Sequence, residues 1–381
     1  MPTTTSSHYP THLAAPRPLT IAGQHLVPVG PLRMYVCGIT PYDVTHLGHA
    51  ATFVWADLIA TLGGHPGDPA VVCRNVTDVD DVLTHAAQER GLPYDELGVT
   101  QEFLFERDMQ ALGVARPQHA PHARSYVNAV ARLATALLER GAAYESGGYV
   151  YFRGAEVPGA AGLDRDTALR LSEAYGDQHD FPGRENEFDV AVWRPSPDGD
   201  PAWPSPWGWG RPGWHAECAA MSLSILGSSV DVLVGGADLT FPHHAYQAAM
   251  AEAATGVTPY ARTVAHIGEV RLDGEKMAKS TGNLVLVSEL LERFSGPVLR
   301  LGLLNRSWSD AWDCIGGNFE ANIDLLARLR ESASGEHEEP HTGVMEALLN
   351  ELDVPTALRI ALDEGGHAAD TFLDLLKLHG A

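Results

Sequence analysis

Met34-Tyr-Val-Cys-Gly-Ile-Thr-Pro-Tyr-Asp-Val-Thr-His-Leu-Gly-His49 is the stretch that decides how this chain reads. Its apolar start, Met34 to Cys37, predicts a short buried strand. Gly38, Thr40 and Pro41 then break the strand before a helix begins near His46. His46 and His49 therefore fall at a helix N-terminus, three residues apart on one face. Unpaired backbone N–H groups and the positive end of the helix dipole favour an anion there, and two imidazoles can donate to phosphate oxygens. ATP suits that arrangement, although a His-x-x-His pair taken alone is more often a surface feature than a catalytic one.

A second element raises the weight of the first. Lys276-Met-Ala-Lys-Ser280 follows Asp273-Gly274 and precedes Thr281-Gly282-Asn283. Two lysines, Lys276 and Lys279, on a Gly-flanked loop can follow triphosphate charge as it develops; in isolation the same residues would read as a solvated basic turn. Apolar strands at 33–36, 70–75, 230–235 and 263–267 alternate with helical runs such as 101–112 and 125–140, which predicts an α/β fold with a doubly wound parallel sheet. Ligands of such sheets bind beyond the carboxyl ends of the strands, where Cys37, Asn75 to Thr77, and Gly235 to Asp238 fall. Gly235-Gly236 permits close backbone approach to a nucleotide and Asp238 can accept from ribose hydroxyls, while the plainer reading of paired glycines is a turn.

In this order, His46-Leu-Gly-His49 and Lys276-Met-Ala-Lys-Ser280 resemble the HIGH and KMSKS motifs of class I aminoacyl-tRNA synthetases. Cys37-Gly-Ile-Thr40, Asn75-Val-Thr-Asp-Val-Asp-Asp81, Gly213-Trp-His-Ala-Glu-Cys218 and Gly235-Gly-Ala-Asp-Leu-Thr-Phe-Pro-His-His244 look like the cysteinyl branch. Within it, segments 40–52, 204–215 and 282–288 are similar to the ligases of the mycothiol pathway, which join cysteine to the amine of glucosaminyl-inositol instead of to tRNA. The resemblance spans about residues 30–305.

The resemblance implies a class I synthetase-type Rossmann-like sheet with a C-terminal helical bundle, and an ATP-dependent, AMP-forming cysteine ligase. It implies phosphate stabilisation by His46, His49, Lys276 and Lys279. Adenylate contacts would come from Cys37, Gly38, Ile39, Thr40, Thr52, Asn75, Val76, Thr77, Trp214, Gly236, Ala237, Asp238 and the backbone near Val270. Zinc would be held by Cys37, Cys218 and His243, with L-cysteine, ATP and Mg2+ and a small amine, glucosaminyl-inositol foremost, as substrates. Asp43 and His215 are candidates for taking the amine proton. Two departures stand out. Gln247 occupies the place of a glutamate ligand of the tRNA-charging members, which leaves a more open metal. Glu173-Ala-Tyr-Gly-Asp-Gln178 replaces the Glu-Arg-Gly-Gly-Asp-Pro motif of the mycothiol ligases, which keeps open a paralogue using another amine.

Composition is consistent with this reading. Across 381 residues, 26 Lys+Arg against 49 Asp+Glu leave a net charge of −23, a field that opposes a long polyanion such as tRNA unless a local basic patch compensates. The stretch after Ser280 holds no basic, aromatic-interleaved module that would read an anticodon, which weighs against a truncated cysteinyl-tRNA synthetase. An adenylate-binding protein without activity is disfavoured because the motif residues are all present. Four cysteines, at 37, 73, 218 and 314, make no disulfide framework and suggest a reducing cytoplasm. No signal-peptide pattern and no run of about 18 apolar residues is seen, so neither export nor membrane spanning is expected. The expected organisation is a leader over 1–30, a catalytic domain over 31–305 with an irregular acceptor-facing insertion at about 144–212, and a helical domain over 306–381.

Overall fold

The computed structural model describes residues 18–42, 44–64, 67–176, 182–277, 282–314, 319–335, 337 and 339–380. It begins with a hairpin, β1 (Leu19–Ile21) and β2 (Gln24–Leu26), inside the segment expected as a leader; Leu19, Ile21 and Leu26 are buried in the main core. β3 (Arg33–Ile39) follows, apolar on both faces as a strand covered on both sides must be. α1 (Leu47–Gly63) runs to β4 (Val71–Val76), and then come α2 (Asp81–Arg90), α3 (Tyr94–Ala111) and α4 (Val127–Glu139).

Residues 143–212 are more regular than their Gly/Pro/Trp-rich composition suggests. β5 (Ala143–Ser146), β6 (Tyr149–Phe152), β7 (Val190–Pro195) and β8 (Gly210–Pro212) make a four-stranded antiparallel sheet, with α5 (Val157–Ala160) and α6 (Arg165–Tyr175) between β6 and β7. The strands are too short to dominate a window average, so the loops between them hid the sheet. Trp203 and Trp207 pack against its core, whereas Trp209 is 68% exposed.

The chain returns through α7 (Trp214–Leu226), β9 (Val230–Gly236), α8 (Ala245–Thr255) and β10 (Ala261–Ile267), then β11 (Val270–Leu272) and β12 (Glu275–Lys276). The parallel sheet has the order β10-β9-β3-β4. From β3 the chain first builds outward to β4 and later comes back on the other side as β9. The switch point, and with it the ligand crevice, lies between β3 and β9. Met34 and Val36 pack with α1 on one face, while Tyr35 and Cys37 pack with Cys218 and Met221 of α7 on the other, which makes the sheet doubly wound.

α9 (Val287–Leu291), α10 (Gly296–Leu304), β13 (Trp312–Asp313), α11 (Glu320–Ser332), α12 (Thr342–Leu349), α13 (Val354–Glu364) and α14 (Gly366–Leu375) complete the chain. Leu326, Leu329, Leu348 and Leu349 are buried at helical spacing, and their cluster is continuous with the core around α1. A buried ion pair ties the two parts together. Asp57 of α1 meets Arg300 at 2.6 Å and Lys377 at 2.7 Å, and Arg300 is fully buried. Burial opposes ionisation of Asp57, but Arg300 and Lys377 hold its carboxyl below the usual range. Removing one partner of such a pair costs about 3–5 kcal/mol, because the other charge is left buried and uncompensated.

The turn after β4 is fixed by a second polar cluster. Residues 119–122 lie along the open edge of β4, with Arg74 N donating to His119 O and Val76 N to Pro121 O. Asp78 accepts from Arg124 Nε at 2.5 Å and meets His122 Nδ1 at 3.0 Å. Hydrogen bonding to Asp78 and then to Glu102 pushes His122 up to about 9 from an ordinary 6.5. A raised histidine pKa stabilises the fold fully below about pH 6.5, and that contribution is lost as pH rises through about 9. The melting temperature of the wild type should therefore exceed that of His122→Gln by a margin that narrows from pH 6.5 to 9.5; thermal melts at both pH values showing a constant margin would contradict the pairing.

Candidate active site

The carboxyl ends of β3 and β9 open into a crevice with a cavity of about 260 Å³. Cys37 to Thr40 form one wall, Gly236 to Asp238 another, and His46, His49 and Thr52 of the α1 region a third; Trp214, Val270 and Lys276 close it. The two motifs meet through the backbone. Leu47 N donates to Val285 O at 2.9 Å, Val287 N to Thr45 O at 3.1 Å, and Asn283 Nδ2 to Lys276 O at 3.1 Å. His46 is the N-cap of α1 and its Nδ1 accepts from Gly48 N at 3.1 Å, so the neutral ring carries its proton on Nε2. The His49 ring stacks on it with centroids 3.8 Å apart. Lys279, Ser280 and Asp43 lie outside the described residues.

Asn75, Val76 and Thr77 do not line this cavity; they are buried behind it and set the shape of its wall. Asn75 Oδ1 accepts from Gly38 N at 2.9 Å, Asn75 Nδ2 donates to Thr77 Oγ1 at 2.9 Å, and Thr77 N donates to Ile39 O at 2.8 Å. A Cβ at position 38 would collide with the Asn75 carbonyl, so only glycine lets β3 end this close to β4.

Under the crevice lies a buried set of soft donors. The ligand atoms of Cys37, Cys218 and His243 all fall within 4.8 Å of one another, and the three residues are 5%, 1% and 2% exposed. Each comes from a different element: the end of β3, α7, and the turn before α8. His243 Nε2 is 3.3 Å from Cys218 Sγ, while its Nδ1 is 3.0 Å from His215 Nδ1. His244 Nε2 lies 3.1 Å from Cys37 Sγ and its Nδ1 lies 2.9 Å from His266 Nε2.

Burial, with His215 and His244 adding to it, pushes His243 well below the usual range and keeps it neutral, the form in which imidazole ligates a metal. Burial and then hydrogen bonding with Cys218 push the Cys37 thiol well up, so a thiolate here calls for a cation. This donor set can hold a divalent metal. Gln247 is fully buried beside it, with Oε1 3.6 Å from Cys37 Sγ and Nε2 donating to Tyr260 Oη at 3.0 Å.

Some positions differ from the sequence reading. His215, a candidate proton acceptor, is 2% exposed and meets the His243 ring instead of lining the crevice. His244 and His266, to which the sequence pattern assigns no role, form a chain that ends on Cys37: His266 meets His244, and His244 meets the Cys37 sulfur. Tyr42 and Glu269 also line the cavity. Glu269 follows the end of β10, the position where doubly wound sheets present functional groups, so its signal was there to read. Trp214 joins the two layers: it lines the crevice and stacks on His243 with centroids 4.2 Å apart.

With the geometry in place, the relatives can be compared. Residues 25–322 match the family described as the tRNA synthetases class I (C) catalytic domain. A relative from Mycolicibacterium smegmatis, named L-cysteine:1D-myo-inositol 2-amino-2-deoxy-alpha-D-glucopyranoside ligase, is 42% identical over 365 residues, covering 89% of this chain and 87% of the relative. Relatives of the same name from Stackebrandtia nassauensis and Mycobacterium tuberculosis are 42% and 45% identical, over 89% and 76% of this chain and 81% and 74% of theirs. Among solved structures, Mycobacterium tuberculosis methionyl-tRNA synthetase in complex with methionyl-adenylate superposes with a TM-score of 0.61 at 17% identity, over 92% of this chain and 82% of that one. At that identity the likeness speaks for the fold alone. The matched catalytic domain and the identity to full-length relatives establish that this chain belongs to the class I (C) tRNA synthetase catalytic-domain family.

Proposed function

We propose that this protein is an ATP-dependent, AMP-forming ligase that activates L-cysteine and transfers it to the amine of glucosaminyl-inositol. The observation that carries this reading is the position of Cys37, which belongs both to the wall of the nucleotide-sized crevice and to the buried Cys37–Cys218–His243 set. One residue thus joins an anion-binding helix N-terminus to a site for a soft ligand. A zinc ion on those three residues would take the substrate thiolate and discriminate against serine, whose hydroxyl is harder and far less acidic.

The remaining work falls to the chain itself. Nε2–H of His46, the His49 ring and the α1 N-terminus face the crevice where the phosphates of ATP, with Mg2+, would lie, and Lys276 approaches from the other side. The cysteine carboxylate attacks the α-phosphate, pyrophosphate leaves, and cysteinyl-adenylate results. These groups act by placement and charge stabilisation, and no covalent enzyme intermediate is needed. Asp238 would accept from ribose hydroxyls, and Gly38 to Thr40, Thr52 and Trp214, which line the same cavity, would enclose the adenylate. Asn75 and Thr77 act through the wall they brace. The acceptor amine then attacks the acyl carbon, AMP leaves, and an amide forms with loss of a proton. The four cysteines are all buried free thiols, in keeping with a reducing cytoplasm. No helix among the described residues is long and apolar enough to cross a membrane.

The same activation chemistry can serve another small amine, and the changed 173–178 segment is the feature that favours this second reading. Mass spectrometry of products from zinc-loaded protein, ATP, Mg2+, L-cysteine and glucosaminyl-inositol separates the two: the cysteinyl amide with matching AMP is expected. Cysteine-dependent AMP release without that amide would exclude the acceptor and keep the activation step. For the metal, Cys218→Ala should lose bound zinc and lower cysteine-dependent ATP–pyrophosphate exchange by at least the roughly 10–100-fold that losing even an outer-shell partner of a metal costs. Full zinc content in that variant, measured by elemental analysis, would refute the ligand set.

A further inference from the structure

Lys276 is held on three sides at the crevice. Its Nζ is 3.2 Å from Asp238 Oδ2 and 4.0 Å from Glu269 Oε2, and it sits over the ring of Tyr175 at 4.3 Å from the centroid. Tyr175 is the last residue of α6, in the insertion, and α6 packs on the Thr240–His244 turn that follows Asp238. The insertion thus reaches across to the lysine that the two-motif reading assigns to the phosphates.

We propose that Tyr175 is a positioning residue that retains Lys276 against Asp238, so that the lysine must leave that carboxylate before it can reach the phosphates of a bound nucleotide. This inference rests on the nucleotide reading of the crevice given above. Lys276 and Asp238 have side chains 38% and 40% exposed, and an ion pair that open is worth little on its own. An aromatic face beneath the ammonium adds the attraction that makes the arrangement persist. Lys276 cannot rest on Asp238 Oδ2 and reach the phosphates of a bound nucleotide at the same time. Entry of ATP draws Lys276 from that carboxylate to the phosphates. The apparent affinity for ATP is then reduced by the fraction of molecules in which Lys276 is still held.

Calorimetric titration of the whole protein with ATP and Mg2+, without cysteine or acceptor so that no turnover occurs, tests this directly. Tyr175→Ala should bind ATP about two- to fivefold more tightly than wild type, the range expected from a cation–π contact at an exposed site. Tyr175→Phe, which keeps the ring, should match wild type. On a Lys276→Met background, Tyr175→Ala should change nothing. An unchanged or weaker affinity in Tyr175→Ala, or the same gain without Lys276, would overturn the proposal. ATP binding by wild type with no Tyr175 effect overturns this inference alone; absence of ATP binding by wild type overturns it together with the nucleotide reading.

Discussion

The parallel pairing of β3 between β4 and β9 is the constraint on which everything else in this protein rests. The register sets Tyr35 opposite Cys73 on one side and Leu233 on the other. Because side chains alternate, that register sends Met34 and Val36 toward α1 and sends Tyr35 and Cys37 toward α7 and α8. A slip of one residue would turn Cys37 to the α1 face and leave Cys218 and His243 without their third donor. The strand also ends where Gly38 must pass the Asn75 carbonyl, so the close approach of β4 decides where the crevice wall begins. The buried thiol–imidazole set, the crevice and the switch point are consequences of one strand placement.

α1 bears His49 in its first turn and is capped by His46, so its position decides where both rings meet the crevice. It is held from in front by the sheet and by the 285–287 segment, and from behind by Asp57 meeting Arg300 and Lys377. The C-terminal part of the chain thus does more than add mass to the fold: through Lys377 it reaches the middle of α1. Charge is organised the same way near the donors. The molecule carries −23 overall, yet His243, His244 and His266 are kept neutral by burial, so the donor set adds no positive charge of its own.

Much of the site was legible in the sequence because its signals are local. Glycine and proline punctuate the strand-to-helix turn at 38–41, and the two central strands of the parallel sheet hold short apolar stretches, Met34–Cys37 and Val232–Val234, bounded by turn residues. The crevice residues from 37–40, 46–52 and 236–238 are each within a few positions of such a signal. What escaped reading depends on long-range packing. The antiparallel sheet over 143–212 consists of strands of three to six residues set among turns, with no sustained period. The support that His244 and His266 give Cys37 links residues some 200 positions apart, and no spacing rule reports it. Tyr175 meets Lys276 for the same reason, across a distance in sequence that pattern reading does not span. The bracing role of Asn75 and Thr77 in place of direct lining follows from their being one layer behind the strand end, a depth that sequence alone does not encode.

The central claim is that the buried thiol–imidazole set is a zinc site completed by the sulfur of the amino-acid substrate. Zinc K-edge absorption fine structure, recorded on the zinc-loaded protein before and after addition of L-cysteine, tests it most directly. The account predicts two sulfur scatterers and one nitrogen from the protein, with one further sulfur appearing when L-cysteine is added and none when L-serine is added. A spectrum in which the number of sulfur neighbours is the same with and without L-cysteine would contradict it.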